Sequence, residues 1–490
     1  MVKTFLTSSP MFNSKKTFFT ITLVSILLFS TSCSLLRKKE LPPPVDNTEK
    51  SLVIYNMYDA EDVFEPMIQE YFKENPYVRI EYYRFDDFEE YEKRILNELA
   101  EGEGPDIFAM PNSWFIKNRK KLSAMPASEG NPTAFRTIFV EAAANDLITP
   151  DNDGVEQVYG LPLYVDTLGI YYNKDHFEDS IPTRGKPSST WDGIKNDVYL
   201  LTKESNSSNS FEVSGIALGV TENVSNALDV LFAMMIQYGD VFYDETMSKA
   251  TFSSYTSGGS RPSTDAVTLF TSFADSSQKY YSWNEDQAAN YDKGDISAFV
   301  AGEVSMIFGY ASTYAEILSE RGNLRTDKVD VIDIDAIASA PMPQIEDPTV
   351  STEKRDTYAE YFAFGVSRNT EYPDTAWKFL TFLSTPNNAT TYFDATHRPT
   401  SLRSLIPDQS NDPLYGTFAK QVGYAETFPV VDYLLFREMM DAAISSINSG
   451  TPIGSALNAV EDRVSDSLPK GGVIVPIDPD YVAPVESVEE

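Results

Sequence analysis

Two residue types that build many catalytic and metal centres are nearly missing. The 490-residue chain has one cysteine, Cys33, and two histidines, His176 and His397. A single thiol cannot close an intrachain disulfide, and it cannot supply a thiolate zinc site. Two imidazoles argue against a histidine-based metal centre, although one would suffice for a Ser-His-Asp triad. Positive charge is also scarce: 39 Lys+Arg stand against 73 Asp+Glu, a net charge of −34. Such a surface repels phosphates and argues against nucleic-acid binding. The chain has no Gly-x-Ser-x-Gly elbow, no His-Glu-x-x-His and no phosphate-binding glycine loop. No internal repeat is visible. These absences leave no cofactor or metal to expect and no motif that names an enzyme.

What is present suits a large globular protein. Hydrophobic residues make up 42% and aromatic residues 13%, more aromatic surface than a core requires. The length allows two or three domains. Residues 1–32 read as a signal peptide. Lys15 and Lys16 precede a mostly apolar run from Phe18 to Phe29, short for a membrane span, and Ser30, Thr31 and Ser32 lead to Cys33. This resembles a bacterial lipoprotein signal, in which the cysteine becomes the lipid-carrying N-terminus; Ser30 stands where that pattern usually has an aliphatic residue. The alternative is an ordinary secretory signal with an incidental cysteine. Residues 33–50, with Pro42-Pro43-Pro44, read as an extended tether. Residues 471–490, proline-rich and acidic, read as a disordered tail.

From Ser51 the pattern alternates strand and helix. Leu52 to Tyr55 reads as a strand. Val63, Met67, Ile68, Tyr71 and Phe72 mark one helix face, and Asn75-Pro76 stops that helix. Val78, Ile80 and Tyr82 alternate as a strand. Tyr91, Ile95 and Leu99 mark a second helix, ended by Gly102, and Asp106 to Met110 is a third strand. This order predicts an α/β fold with a largely parallel sheet. Ligands in such folds sit beyond the carboxyl ends of the strands, here 56–59 and 111–114.

The stretch Tyr159–Phe177, YGLPLYVDTLGIYYNKDHF, carries one oddity. Asp166 sits inside an apolar run, and a carboxylate there needs a partner, from the protein or from a ligand. Tyr171 and Tyr172 read as core residues.

Several blocks together resemble the extracellular solute-binding proteins of ABC importers, the group that includes maltose-binding and other sugar-binding lipoproteins. They are Gly104-Pro105-Asp106-Ile107-Phe108, Gly160-Leu161-Pro162 with Asp166 and Tyr171-Tyr172-Asn173-Lys174-Asp175, and Thr190-Trp191-Asp192. Further along come Phe299 to Met306, Ala376-Trp377-Lys378-Phe379-Leu380, and Arg398-Pro399. Their order spans about 400 residues, while 325–357 matches poorly.

The resemblance implies a two-lobe periplasmic-binding-protein fold of type II with three hinge crossings. These would lie near 161–166, 306–310 and 361–365. The N-lobe would hold 51–162 plus 311–360, and the C-lobe 163–310 plus 361–470. It also implies a monomer, lipid-anchored outside the cytoplasm at the bacterial cell membrane. Such a protein would deliver a small solute, an oligosaccharide, to importer permease subunits. Two alternatives stay open: a polyamine, peptide or other non-sugar solute on the same fold, or a lipid-anchored glycosidase using paired carboxylates.

A sugar site needs carboxylates and amides for hydroxyls and aromatic planes for ring faces. The candidates are Tyr58, Asp59, Asn112, Trp114, Asp166, Trp283, Tyr310, Tyr361 and Arg398. Each has a plainer reading. Asp166 could be a helix cap or part of a hinge ion pair, and Asp59 a helix cap. Trp114 could pack on a lobe surface, and Arg398 could form a surface salt bridge. Trp283 lies in a polar, loop-like context, so exposure is expected. Of Tyr361 and Phe362, one should face the core.

Overall fold

The computed structural model describes residues 48–468 apart from 152, 206–209, 257, 347–354, 429 and 431. The signal segment, Cys33, most of the tether and the tail lie outside the described residues. Among the described residues no helix is long and apolar enough to cross a membrane.

The expected first strands form. Lys50–Met57 lies between Val78–Phe85 and Ile107–Pro111, all parallel. Ile107–Pro111 is buried throughout, as a central strand covered on both faces should be. The connecting helices are Glu61–Glu74 and Phe88–Glu101. Asp87 caps the second through the Glu90 amide, and Gly102 ends it in the left-handed conformation at φ 80°. The first helix has Ala60 at its N-cap and no side-chain cap. Asp59 therefore does not serve as the cap considered for it.

Two more strands complete this sheet, and both are antiparallel: Phe362–Val366 beside Ile107–Pro111, then Leu161–Pro162. Helix Pro373–Leu383 buries Trp377, Phe379, Leu380 and Leu383 in the same core. A second core is built on the antiparallel strands Met306–Gly309, Gly169–Asn173 and Ile337–Pro341. Helix Ala227–Gln237, apolar on nearly all sides, is buried within it. Helices Tyr433–Asn448 and Ile453–Ser467 close it.

The packing differs from the expected lobe boundaries. Residues 311–342 pack in the second core with 168–310. Residues 361–402 pack in the first core with 52–165. Strand Met306–Gly309 does not cross between cores, because it pairs with Gly169–Asn173 inside the second. The chain changes core between Val165 and Leu168 and between Tyr358 and Ala359; after Leu402 it enters the second core at Phe418, returns to the first at Val422 and Ala425, and rejoins the second at Phe428. The first two passages lie side by side as an antiparallel pair, Thr167 opposite Ala359 and Asp166 opposite Glu360. The Gln421 amide donates to the Leu168 carbonyl at 3.0 Å and ties the stretch between Phe418 and Val422 to the first passage.

Gly160, at the head of the opening block, has a steric reason. A Cβ there would stand 2.4 Å from the Phe115 ring.

Candidate functional site

A cavity of about 960 Å³ lies where the two cores face each other across the paired passages. Its first-core wall is aromatic. The Tyr58 and Phe362 rings meet edge to face at 6.0 Å, and Phe88 lies 6.5 Å from Phe362. Trp114 packs on Phe88 at 5.0 Å and is buried behind it, so it supports the wall and does not line the cavity. Tyr58 is 45% exposed and holds φ at 64°. A left-handed tyrosine costs about 1–2 kcal/mol. The Tyr58 amide donates to the Phe85 carbonyl at 2.8 Å, which fixes that backbone at the end of the parallel pair.

Phe362 lines the cavity while Tyr361 is fully buried and donates to Asp146 at 2.8 Å. Successive residues of a strand point to opposite faces, so only one of the two could reach the cavity. Tyr361 is thus a core residue and Phe362 the lining one. Asn112 also lines the cavity and donates to Asp146 at 3.1 Å, so its amide is oriented from behind.

Arg398 lines the cavity as expected, and it is not a surface ion pair. It meets Asp59 at 2.5 Å, with their side chains 17% and 10% exposed. It also meets the Tyr392 hydroxyl at 3.0 Å and stands 4.8 Å from the centre of the Tyr164 ring. Tyr392 donates to the other Asp59 oxygen at 2.7 Å. Asp59 does not line the cavity; it holds Arg398 in place.

Asp166 has found protein partners. One carboxylate oxygen accepts from the Ala311 and Thr167 amides, and the other from Ser312 at 3.1 Å. The Ala311 and Ser312 amides precede helix Thr313–Thr326, where the helix dipole favours an anion. Burial still pushes the Asp166 carboxyl up, against the pull of the Ala311 and Ser312 amides. Asp166 joins a core passage to a second-core helix and borders the cavity at the same time.

The second-core wall is polar. Tyr310 lines it and donates to Asp229 at 3.0 Å. Burial raises Asp229 to about 6, while Arg437 and the hydroxyls of Tyr310 and Tyr433 pull the other way. Glu360, opposite Asp166, is raised to about 8 by burial and then by the Asp229 charge. Trp283 is elsewhere: fully buried, its indole nitrogen donating to Asn223 at 2.8 Å. Its polar neighbourhood pointed to exposure because that partner lies sixty positions away in the chain.

Of the nine candidates, Tyr58, Asn112, Asp166, Tyr310 and Arg398 line the cavity; Asp59, Trp114, Trp283 and Tyr361 do not. Sequence reasoning missed Asp229, Glu360, Tyr164 and Arg437. Two of these carried the same signal as Asp166: a carboxylate inside an apolar helix, and a carboxylate inside an apolar strand.

Residues 59–390 match the bacterial extracellular solute-binding proteins. The chain belongs to that family. A putative binding protein of Brucella abortus (strain 2308) is 23% identical over 293 residues, 59% of this chain and 61% of the relative. The chain thus aligns with under two thirds of the length of the curated relatives it matches. Several proteins of known structure share the fold. The sugar-binding protein MalE of Xanthomonas citri superposes with a TM-score of 0.66 at 15% identity, covering 85% of this chain and 96% of that one. A Listeria monocytogenes ABC substrate-binding protein, solved in complex with cycloalternan, gives 0.63 at 17%, covering 85% and 98%. The cyclic α-maltosyl-1,6-maltose binding protein of Arthrobacter globiformis gives 0.64 at 17%, covering 85% and 98%. The architecture is the type II periplasmic-binding-protein fold, and the family assignment matches the resemblance carried by the sequence blocks.

Proposed function

We propose that the protein is an extracytoplasmic binding protein, anchored through lipid on Cys33, that captures an oligosaccharide and hands it to an ABC importer. The observation that carries this reading is one cavity with an aromatic wall on one core and carboxylates on the other. Ring C–H faces pack on Tyr58 and Phe362, and hydroxyls donate to Asp229 and Glu360. The paired passages at Asp166–Thr167 and Ala359–Glu360 form the hinge, and lobe closure buries the ligand. Structural neighbours named as sugar binders support the carbohydrate class. Under this reading Tyr58, Asn112, Asp166, Tyr310 and Arg398 border the ligand, and the protein works as a monomer without catalysis.

The test is thermal unfolding of the full chain in detergent against oligosaccharides, polyamines and peptides. A ligand at a hundred times its Kd stabilises by about 2.7 kcal/mol. Sugars should raise the melting temperature. A shift with polyamines or peptides alone would replace the substrate class, and time-dependent loss of the sugar would make the protein a hydrolase. Cys33→Ser should move the protein from the membrane to the soluble fraction.

A further inference from the structure

Asp146 does not line the cavity, and no sequence block pointed to it. It sits on helix Glu141–Leu147 of the first core, where three donors converge on its carboxylate. The Thr427 hydroxyl donates to Oδ1 at 2.7 Å. The Tyr361 hydroxyl and the Asn112 amide donate to Oδ2 at 2.8 and 3.1 Å. These donors come from three parts of the frame around the cleft. Asn112 follows strand Ile107–Pro111 and lines the cavity. Tyr361 comes directly after Glu360 of the second passage. Thr427 lies in the last crossing, between Ala425 of the first core and Phe428 of the second.

An ionised carboxylate accepts hydrogen bonds and donates none. Asn112 therefore turns its NH2 end to Asp146, and its carbonyl oxygen takes the other end of the planar amide. Asn112 is 5% exposed, yet its Oδ1 accepts no hydrogen bond among the described residues and is not sealed off within the protein. The backbone at this point is fixed as well, because the Asn112 N–H donates to the Tyr361 carbonyl at 3.0 Å. A nearly buried carbonyl without a donor is costly, and the cavity is where a donor enters.

We infer that Asp146 is a positioning residue for binding. It holds the Asn112 carbonyl oxygen toward the cavity, where that oxygen accepts a hydroxyl of the ligand. Through Thr427 the same carboxylate fastens the last crossing to the first core, so one group sets both the acceptor and the hinge. The ligand meets Asn112 as an acceptor and not as a donor. This inference rests on the carbohydrate reading of the cleft.

Isothermal titration of the full chain in detergent tests it, with maltotriose, mannotriose and spermidine as probes at pH 7. Asn112→Ala should weaken sugar binding roughly three- to ten-fold, the worth of one neutral hydrogen bond. Asp146→Ala should do the same in the parent, and should change affinity less than about two-fold once Asn112→Ala is present. Asn112→Asp sets two carboxylates against each other and should also weaken binding. Adding Asp146→Asn restores a donor behind an acceptor, and should bring affinity back to within about three-fold of the parent. A swap that stays weak, or an Asp146→Ala loss that persists without Asn112, overturns the assignment; with sugars still binding the parent, the carbohydrate reading stands. Hydrogen exchange of the ligand-free chain reads the hinge tie. Asp146→Ala and Thr427→Val should each speed exchange in strand Ala425–Glu426 at least about three-fold, and unchanged exchange overturns the tie. Binding of spermidine alone, or of no probe, overturns the carbohydrate reading and with it the hydroxyl acceptor, while exchange still decides the tie.

Discussion

Replacing Asp166 separates two opposing effects that the structure places on one side chain. Its carboxylate is buried, which disfavours the charge, and burial outweighs the amides in raising its pKa. The same carboxylate satisfies Ala311, Ser312 and Thr167 amides at 2.9, 3.1 and 3.0 Å. Asp166→Ala removes both the charge and the acceptors. Each amide left without a partner costs about 1–3 kcal/mol. Water entering from the cavity relieves part of this, so we expect a net loss of about 2–4 kcal/mol. Asp166→Asn keeps one acceptor oxygen and the shape while shedding the buried charge, so it should lie within about 1 kcal/mol of the parent. At about 2.1 cal/mol/K per residue over roughly 420 folded residues, 3 kcal/mol corresponds to about 3–4 °C in Tm. The assay is urea and thermal unfolding of the ligand-free protein at pH 7. An alanine variant as stable as the parent, or an asparagine variant as unstable as alanine, would refute this reasoning.

Tyr58→Gly should raise apo stability or leave it unchanged, because glycine relieves the left-handed strain, while sugar affinity falls about ten-fold or more with the lost ring; titration calorimetry checks the pair of effects. Arg398→Met leaves the buried Asp59 carboxylate without its cation and should cost about 3–5 kcal/mol in urea unfolding. Adding Asp59→Asn should recover most of that loss. For pH, the sign follows from carboxyls held above their ordinary values: Glu360 at about 8 against 4.5 and Asp229 at about 6 against 3.8. The folded state keeps protons that the unfolded state releases, so their contribution to stability falls as pH rises from about 4 to 8. Glu360→Gln should flatten that fall, by an amount on the order of 1–3 kcal/mol between pH 5 and pH 8; a variant with the parent's pH slope would refute the assignment.

Local chemistry was legible in the sequence, and long-range partnership was not. The first three strands, their helices and the Gly102 stop follow from periodicity and turn residues, and they fold as read. Asp166 was found because a carboxylate interrupts an apolar run. Asp229 and Glu360 interrupt theirs in the same way, and weighing every such interruption equally would have found them. The lobe boundaries were misplaced because Met306–Gly309 and Phe362–Val366 look alike as short apolar strands. Which core each joins depends on pairing with Gly169–Asn173 or Ile107–Pro111, far away in the chain. Trp283 and Arg398 illustrate the same limit: their partners Asn223 and Asp59 lie 60 and 339 positions away.

Strand Phe362–Val366 sits between Ile107–Pro111 and Leu161–Pro162, and this placement has a consequence for synthesis. The partners Pro111 and Phe362 are about 250 residues apart. At about 5–20 residues per second, the ribosome needs roughly ten to fifty seconds to make the second after the first. Until then the first sheet lacks an inner strand, and Ile107–Pro111 has an open edge. A truncated chain ending before the late strand would keep that edge exposed and would be a substrate for chaperones and proteases.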